Sequence, residues 1–553
     1  MLIVDVLLAI ALLTFCAAWL LPALPARDLV LSVAAGGAAV IAFLYVLDGR
    51  WQAATAGMAA VGFVAILAVR RARNRPVPST VPYWSGAALA VLAVVALFPL
   101  YMIPVFELPP TSGPHQVGVR DFELSDDSRL GVLYAEPDEP RRLSIRVWYP
   151  AASTENFSRR PYATDAELET TYPWLAKEEM DLPSFFYSHL KYITTHAYDN
   201  APVLEDAQAL PVVFFSHGLF SYVSQNTALM EHLASRGYVV FSIGHPYDAA
   251  PLLYPNGDVI ELPPGLRQEA NESPEPSAEV AAMAKVAGPQ FTSGRTYEER
   301  FQGAVGQLEI NELIDDRFIH ESPGIWLADH LFAVEALATG PVPESISDII
   351  DHADLTRVAH MGMSYGGSTA AAAAYLDPRC VAAINLDGSD FHNNGMNADI
   401  PVPFLMLYSD SIDDYGSVEE PSGRPFGYND LTYERYETAG QREDVVRLHV
   451  RGSTHLGISD TQLMLRGPLH SRLAGSIDGD RMIQILNGFV GDFLDKSMRD
   501  IDNGFPDDNL AAYGEVVAHD VSGVSDWWNA KTPQERRAAE QAIERVRPPA
   551  GIG

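Results

Sequence analysis

One turn, Gly362-Met363-Ser364-Tyr365-Gly366-Gly367, restricts the fold of this chain more than any other feature of its sequence. The residues before it, 356–361, are apolar and β-branched enough to form a short buried strand. The residues after it, 368–376, include strong helix formers. A sharp strand-to-helix turn leaves room only for glycine two positions before and after its centre, and it lifts the central hydroxyl out of the sheet. The turn therefore predicts an α/β fold with Ser364 as a nucleophile, in preference to a glycine-rich packing turn.

The first hundred residues form a different kind of chain. They contain four long apolar runs, at residues 2–21, 29–47, 53–69 and 87–105. Each run has about the length that a helix needs to cross the hydrocarbon layer of a bilayer. A cleaved signal peptide would account for the first run but not for the next three. Residues 1–106 are therefore predicted to be a membrane region with four transmembrane helices, and buried soluble helices are the less favoured alternative.

The arginines between these runs predict an orientation. The link between the third and fourth runs contains Arg70, Arg71, Arg73 and Arg75. The link between the second and third runs contains only Arg50, and Arg27 lies between the first two. Because positive residues stay in the cytoplasm, the third link and the first are predicted to be inside and the fourth helix to run outward. The chain is thus expected to be a multi-pass protein of the cell membrane, with residues from about Glu107 onward outside the cytoplasm.

The charge of the chain excludes one class of partner. There are 71 acidic and 38 basic residues, which gives a net charge of −33. Little basic surface remains to neutralise phosphates, so no nucleic-acid partner is expected. Only Cys380 lies in the exported part, since Cys16 falls in the first apolar run, so no intramolecular disulfide is expected.

The soluble part alternates between strand-like and helix-like segments. Strand-like segments occupy 143–150, 211–216, 238–243, 357–361, 381–386, 402–408 and 445–450, and helical patterns occupy 225–236 and 482–498. Continuous apolar runs such as 211–216 are typical of a sheet that is covered on both faces. This order predicts a three-layer α/β domain with a mainly parallel sheet over residues 107–505, followed by an extension, 506–553, to which no role is assigned.

Two stretches depart from this alternation and are predicted to be insertions. Residues at about 160–205 are rich in aromatic and acidic side chains, and residues at about 250–325 contain many Gly, Pro, Glu and Ser. Insertions at the carboxyl ends of strands often cover an active site, and aromatic ones would provide an apolar acyl pocket. Surface decoration or partial disorder is the alternative, and for 265–300 the two are equally favoured.

A nucleophilic serine needs a histidine to accept its proton and a carboxylate to orient that histidine. In the α/β-hydrolase fold, these residues follow one another in the order serine, acid, histidine. His455 follows the strand 445–450 in a loop at its carboxyl end and is the predicted base. Asp387 and Asp410 each follow a predicted strand, with Asp390 as a weaker third candidate for the acid, and the spacing does not choose among them.

Two backbone N–H groups are expected to stabilise the oxyanion that forms during acyl transfer. One belongs to Tyr365, directly after the nucleophile. The other is expected in the loop Ser216-His217-Gly218-Leu219-Phe220, with Leu219 as the donor and Phe220 as the next choice. His217 is expected to fix this loop by hydrogen bonding rather than to bind a metal.

Four segments together resemble the platelet-activating-factor acetylhydrolase family over residues 140–500. They are Phe215 to Leu219, the Gly-x-Ser-x-Gly-Gly turn, Asn385 to Gly388, and Arg451 to His455. The resemblance implies an α/β-hydrolase fold without a metal or organic cofactor, and hydrolysis of the short or oxidised acyl chain at the sn-2 position of phospholipids. It selects Asp387 as the acid over Asp410, and its oxyanion donors fall on Leu219 and Tyr365. The chain differs from the family in Met363, where histidine often precedes the serine, in its insertions and in its four membrane helices.

The sequence therefore predicts a membrane-anchored serine hydrolase with Ser364, Asp387 and His455 as its triad and a small ester or a phospholipid as its substrate. A general esterase or lipase, a thioesterase, a peptidase and a polyester hydrolase are alternatives with the same fold. A non-catalytic membrane receptor is an alternative of another class. The sequence predicts no oligomeric state.

Overall fold

The computed structural model describes residues 3–75, 83–204, 209–267, 276–392, 395–410 and 427–546. Residues 268–275 of the second predicted insertion and 547–553 of the predicted extension lie outside the described residues. The chain forms two compact units. The first contains residues 1–107, 161–194 and 463–472, and the second contains 108–160, 195–462 and 473–553. Most of the first predicted insertion thus groups with the N-terminal helices.

The first unit contains the four apolar runs as helices. These are α1 (Ile3–Leu20), α2 (Arg27–Leu47), α3 (Ala54–Ala72) and α4 (Tyr83–Met102), with a short 3₁₀ turn, Trp51–Ala53, before α3. By length and composition, all four could cross a membrane. Small and aromatic side chains such as Ala38, Phe15 and Phe63 pack between them, whereas Leu29, Phe43 and many other large apolar residues face outward. Outward apolar faces of this kind fit a lipid environment.

Arg50, in the link between α2 and α3, is fully buried and contacts residues at the ends of two other helices of this bundle. Its guanidinium lies 3.4 Å from the Asp5 carboxylate at the start of α1, and it donates a hydrogen bond of 3.2 Å to the carbonyl of Ile103, just after α4. The start of α1, the α2–α3 link and the end of α4 therefore lie at one end of the bundle, as expected for four helices that run alternately in opposite directions.

Residues 161–194 of the first unit pack on that same link. They include α5 (Asp165–Glu169), α6 (Thr171–Trp174), a π-helical turn (Leu175–Glu179) and a 3₁₀ turn (Ser188–Tyr192). The indole of Trp51 donates to the Phe186 carbonyl at 2.8 Å, and the hydroxyl of Ser188 donates to the Gly49 carbonyl at 2.6 Å. The aromatic residues of this segment thus surround one end of the helical bundle.

An eleven-stranded sheet forms the centre of the second unit. Its strands are β1 (Gln116–Leu130), β2 (Pro140–Ala151), β3 (Arg159–Pro161), β4 (Thr194–Asp199), β5 (Leu210–Ser216), β6 (Val239–Ile243), β9 (Ala353–Met363), β10 (Cys380–Leu386), β11 (Phe404–Ser409), β12 (Val445–Val450) and β13 (Val516–Ala518). The short pair β7 (Leu252–Leu253) and β8 (Val259–Ile260) forms a separate hairpin.

The strands lie in the order β13-β12-β11-β10-β9-β5-β6-β2-β1-β4-β3. The six from β6 to β12 in this order are parallel to their neighbours, whereas β2 and β13 join the parallel block in the antiparallel sense. The carboxyl ends of β5, β9, β10, β11 and β12 therefore meet along one edge, where residues from distant parts of the chain come together.

Helices of the second unit connect and flank these strands. They are α7 (Thr227–Ser235), α8 (Ala278–Ser293), α9 (Tyr297–Asn311), α10 (Arg317–His320), α11 (Ser322–Thr339), α12 (Ser347–Ile350), α13 (Tyr365–Leu376), α16 (Gly479–Arg499), α17 (Asp507–Ala512), α18 (Ser522–Asn529) and α19 (Pro533–Val546). The short helices α14 (Thr461–Met464) and α15 (Gly467–Leu473) lie where the chain passes between the units. The packing is tight: Ala333, Val334 and Leu337 of α11 bury against Phe214 and Phe241 of the sheet.

The structure adds elements that the sequence pattern did not show. The long strand β1 pairs with β2 along most of its length. The second predicted insertion contains the helices α8 and α9, so it is ordered structure across its described residues after 276. The segment after Phe505 contributes β13 to the sheet edge and three helices to the second unit.

Candidate active site

Ser364 lies at the sharp turn between β9 and α13. Its backbone has φ 55° and ψ −122°, a conformation that L-residues rarely adopt. A Cβ on Gly362 would lie 2.0 Å from the Gly366 carbonyl oxygen, and a Cβ on Gly366 would lie 2.0 Å from the Ser216 carbonyl oxygen. Both positions therefore require glycine, as the sequence motif predicts.

The structure brings together the three residues of the predicted triad. The Nε2 of His455 lies 2.8 Å from the Oγ of Ser364, and its Nδ1 lies 2.6 Å from the Oδ2 of Asp387. These distances are within hydrogen-bonding range for a serine, a base and an orienting acid. The three side chains come from the carboxyl ends of β9, β10 and β12, so the parallel sheet is what makes them neighbours.

Asp387 is held by four hydrogen bonds. Its Oδ1 accepts from the Ser409 N–H at 2.7 Å and from the Tyr428 hydroxyl at 3.0 Å, while its Oδ2 accepts from the Ser409 hydroxyl at 2.7 Å and from His455. The carboxylate is 4 % exposed. Burial, and then the charge of Asp387, raises the pKa of Tyr428 well above its ordinary value, so this phenol stays protonated and donates. These hydrogen bonds hold the Asp387 carboxylate in place with its Oδ2 toward His455.

Two opposing effects act on the pKa of His455. Desolvation lowers its pKa, the hydrogen bond from its Nδ1 to Asp387 and the charge of that carboxylate raise it, and the net pKa lies above the ordinary 6.5. The side chain of His455 is 41 % exposed. The loop that carries it is held because Thr454 donates a 2.6 Å hydrogen bond to the Leu473 carbonyl.

The other two candidate acids contact different partners. Asp410 lies 2.6 Å from the Nε2 of His449 and accepts the N–H of Gly452. Asp390 accepts the N–H of Gly395 at 2.9 Å. Asp387, by contrast, lies 2.6 Å from the Nδ1 of His455.

The predicted oxyanion loop lies beside the nucleophile. A Cβ built on Gly218 would lie 3.4 Å from the Cβ of Ser364. Tyr365 is the first residue of α13, where backbone N–H groups have no partner within the helix. The N–H of Phe220, the second candidate donor in this loop, already donates to the Asp248 carbonyl at 2.8 Å. Among the described residues, no hydrogen bond engages the N–H of Leu219, so Leu219 and Tyr365 remain the candidate oxyanion donors.

The buried side chain of His217 contacts the oxyanion loop and the backbone of His245. Its Nδ1 lies 2.7 Å from the Gly218 carbonyl oxygen, and its Nε2 lies 3.4 Å from the backbone N–H of His245. Desolvation, with the nearby His245, lowers the pKa of His217 to about 3. A neutral imidazole with its Nδ1–H donated to the loop matches the predicted structural role.

A chain of fully buried polar groups anchors the strand that leads into this loop, and no sequence pattern indicated it. This series of hydrogen-bonded side chains consists of Asp329, His245, Ser216, His330 and His360. From Asp329 to His360, the four successive contacts measure 3.0, 3.0, 2.9 and 3.0 Å. Ser216 is the last residue of β5 and directly precedes His217.

The proton positions in this series of side chains follow from Asp329, whose carboxylate is at one end of it. Asp329 only accepts, so His245 donates from Nδ1 and accepts the Ser216 hydroxyl at Nε2. Ser216 then accepts from the Nδ1 of His330. Desolvation lowers the pKa of His245 and lowers that of His330 well below its ordinary value, which agrees with neutral rings. From Asp329 to His330, every member is satisfied with neutral rings, which stabilises the end of β5. Beyond them, the Nε2 of His360 lies 3.2 Å from the Oδ2 of Asp377.

The sequence analysis missed Ser409 and Tyr428 as partners of Asp387. Ser409 ends β11, next to the Asp410 that the analysis did consider, so its place at a strand end was a usable signal. Tyr428 lies in a loop with no pattern of its own. In the described part of the chain, no group of three or more His, Cys, Asp or Glu side chains is arranged to hold a metal ion.

Comparison with known proteins adds independent information. The family model described as platelet-activating factor acetylhydrolase, isoform II, matches residues 102–260, which include the oxyanion loop and end before Ser364. The platelet-activating factor acetylhydrolase of Canis lupus familiaris is 24 % identical over 421 residues, which cover 75 % of this chain and 81 % of the dog protein. The resemblance to the platelet-activating factor acetylhydrolase family is confirmed.

A solved structure supports the fold. The ferulic acid esterase from Streptomyces cinnamoneus superposes with a TM-score of 0.50 at 21 % identity, covering 75 % of this chain and 99 % of that chain. At this identity the match concerns the fold alone. Together with the mostly parallel sheet, it confirms the prediction of an α/β-hydrolase fold preceded by four apolar helices.

Proposed function

We propose that this chain is a membrane-anchored serine hydrolase that cleaves short-chain acyl esters or the sn-2 acyl groups of phospholipids. The similarity to the platelet-activating factor acetylhydrolase family supports an esterase of the α/β-hydrolase type. The observation that carries the proposal is the pair of contacts at His455, 2.8 Å to Ser364 and 2.6 Å to Asp387, beside two available backbone donors.

In the proposed mechanism, His455 Nε2 removes the proton of Ser364 as its Oγ attacks the ester carbonyl carbon. The N–H groups of Leu219 and Tyr365 stabilise the resulting oxyanion, and Asp387 stabilises the imidazolium. The tetrahedral intermediate collapses, the C–O bond to the leaving group breaks, and His455 gives its proton to the departing alkoxide. The acyl group is then bonded to Ser364.

Water completes the cycle. His455 removes a proton from water as it attacks the acyl-enzyme, and a second tetrahedral intermediate forms at the same two N–H groups. Breakage of the bond to Oγ releases the carboxylic acid, and the proton on His455 returns to Ser364. No metal or organic cofactor takes part in any of these steps.

The proposed location is the cell membrane, with the catalytic unit outside the cytoplasm. Four apolar helices support integral anchoring, and the arginines between α3 and α4 support the orientation. A small ester or a phospholipid is the proposed partner, and no nucleic acid is proposed.

Hydrolysis by the full-length chain in detergent tests the reaction. The substrates are p-nitrophenyl esters from acetyl to palmitoyl and a phospholipid with an sn-2 acetyl group. The variants are Ser364→Ala and, as a control, Ser471→Ala at an exposed position of α15. We expect turnover by the wild type and Ser471→Ala and a loss of about 10⁴-fold or more in Ser364→Ala.

Turnover of simple esters without the phospholipid would reduce the proposal to a general esterase, and turnover of thioesters or peptides instead would replace it. A folded wild type without turnover would contradict it.

A further inference from the structure

A cavity of about 320 Å³ lies in the second unit next to the candidate catalytic acid. Its walls are mainly apolar and come from α8, α9, the loop after β10 and the segment 427–432. Apolar side chains in the wall include Phe291, Tyr297, Ala304, Leu308, Ile319 and Leu431. Helix α9 contributes three of these six, spaced to lie on one face of the helix. The cavity is therefore built by the second predicted insertion against the edge of the sheet that carries the site.

Two wall residues contact the proposed machinery, and a third, Ile319, follows a residue that does. Phe391 packs against the ring of Tyr365 with centroids 4.9 Å apart. Tyr428 donates its hydroxyl to Asp387 at 3.0 Å. Ile319 follows Phe318, whose carbonyl accepts the Tyr365 hydroxyl at 2.7 Å. The cavity thus lies next to residues that contact Tyr365, directly after the nucleophile, and Asp387, the candidate orienting acid.

The charged side chains in the wall already have partners within the protein. Arg300, 6 % exposed, donates to the carbonyls of Gly294 at 2.9 Å and Phe291 at 2.5 Å. Asp430 accepts from His519 at 2.7 Å. With the carboxylate of Asp390 also in the wall, two negative groups face one positive group, so a carboxylate on the ligand would meet net repulsion.

We propose that this cavity is the acyl-chain pocket of the enzyme and that it takes an uncharged, medium-length acyl group. The inference rests on the proposed function and specifies its substrate. The volume falls at the lower end of the roughly 300–1,000 Å³ typical of small-molecule sites. At about 30 Å³ for a water-sized group, it holds roughly ten such groups, about the size of a hexanoyl or octanoyl chain. An acetyl group leaves it almost empty, so the acetyl ester is a substrate but not the best one.

Filling the cavity from α9 tests this pocket. Ala304→Trp places a large ring in the cavity, whereas Gln302→Trp, on the exposed side of the same helix and outside the cavity wall, is the matched control. The measurement is kcat/KM of the full-length chain in detergent for p-nitrophenyl acetate and octanoate. We expect Ala304→Trp to lower the octanoate value by about tenfold or more and to change the acetate value by less than about twofold, since each methylene lost from an apolar pocket weakens transition-state binding substantially. Gln302→Trp should change neither.

A second variant covers the case in which Ala304→Trp does not fold. Leu308→Ala enlarges the cavity, and we expect it to raise the ratio of the decanoate to the octanoate value relative to the wild type. An octanoate value unchanged in a folded Ala304→Trp, a ratio unchanged in Leu308→Ala, or a wild type that prefers acetate to octanoate would each overturn the pocket. Serine-dependent acetate turnover in those cases leaves the proposed function standing. An absence of turnover toward every ester in the wild type contradicts the proposed function itself.

Discussion

Asp387 and Asp410 occupy equivalent places in the sequence, each directly after or close to the end of a parallel strand, and the structure gives them different partners. Asp387 accepts four hydrogen bonds and faces His455, whereas Asp410 faces His449. Spacing along the chain does not separate them, because the difference arises from the direction in which each carboxylate leaves its strand. The family resemblance selected Asp387, and the contacts support that choice.

Replacement of each aspartate by asparagine separates the two roles. With Asp387→Asn, the amide holds His455 in the wrong tautomer for a base, and we expect kcat for an activated ester to fall by about 10⁴-fold. Asp410→Asn leaves His455 untouched and should lower kcat by less than about tenfold, through the loop it supports. Steady-state kinetics of both variants give the comparison. Equal losses, or the larger loss in Asp410→Asn, would exclude Asp387 as the orienting acid.

The pH dependence of the reaction follows from His455. Asp387 stabilises the imidazolium and holds the pKa of His455 above 6.5. The base in the proposed mechanism is the neutral ring, so kcat/KM must rise as pH increases through that pKa. We expect an ascending limb with an apparent pKa above 6.5 when the rate is followed from about pH 5 to about pH 9. A rate that is flat or falls across the pH range in which His455 loses its proton would show that this ring is not the base.

Strands and helices with strong local patterns were predictable from the sequence. The apolar run 211–216 became β5, and the run 381–386 lies within β10. The helices α8 and α9 were not predicted, because their glycines, prolines and charges suggest a surface insertion while Tyr297, Phe301 and Val305 are buried against residues more than 90 positions away. Burial against such distant residues overrides a weak local signal.

The buried polar chain behind β5 gives a prediction about stability. Ser216→Ala removes the hydroxyl that joins His245 to His330 and leaves both rings short of a partner in a fully buried place. We expect a loss of about 1–3 kcal/mol in the free energy of unfolding, seen as a lower midpoint of thermal inactivation in detergent. The exposed Ser471→Ala should change stability by less than about 0.5 kcal/mol. An unchanged midpoint in Ser216→Ala would show that the chain does not stabilise this strand.

The whole chain combines two compact units, one of which contains four helices long and apolar enough to cross a membrane. Four successive apolar helices were predictable because a bilayer restricts a spanning segment to a narrow range of length and composition. The grouping of residues 161–194 with those helices was not predictable, because it depends on contacts of Trp51 and Gly49 with residues far along the chain. The meeting of Asp5, Arg50 and the carbonyl of Ile103 agrees with four crossings that return the chain to its starting side.

The orientation is testable with two cysteine variants in a background without Cys16 and Cys380. Asn74→Cys lies in the arginine-rich link after α3, and Ser293→Cys lies at the end of α8, both at exposed positions. A membrane-impermeant maleimide should label Ser293→Cys in intact spheroplasts and Asn74→Cys only after permeabilisation, because the arginines hold their link in the cytoplasm. The reverse pattern would place the catalytic unit in the cytoplasm.

Covalent labelling tests whether His455 activates Ser364 as a nucleophile. The full-length wild type, Ser364→Ala and His455→Ala are treated with a fluorophosphonate and examined by intact-protein and peptide mass spectrometry, with thermal midpoints as the control for folding. We expect one phosphonyl group on the wild type, located on Ser364, none on Ser364→Ala, and labelling slowed by about 10³-fold or more in His455→Ala. A folded wild type that gains no adduct, or gains it on another residue, would contradict the account.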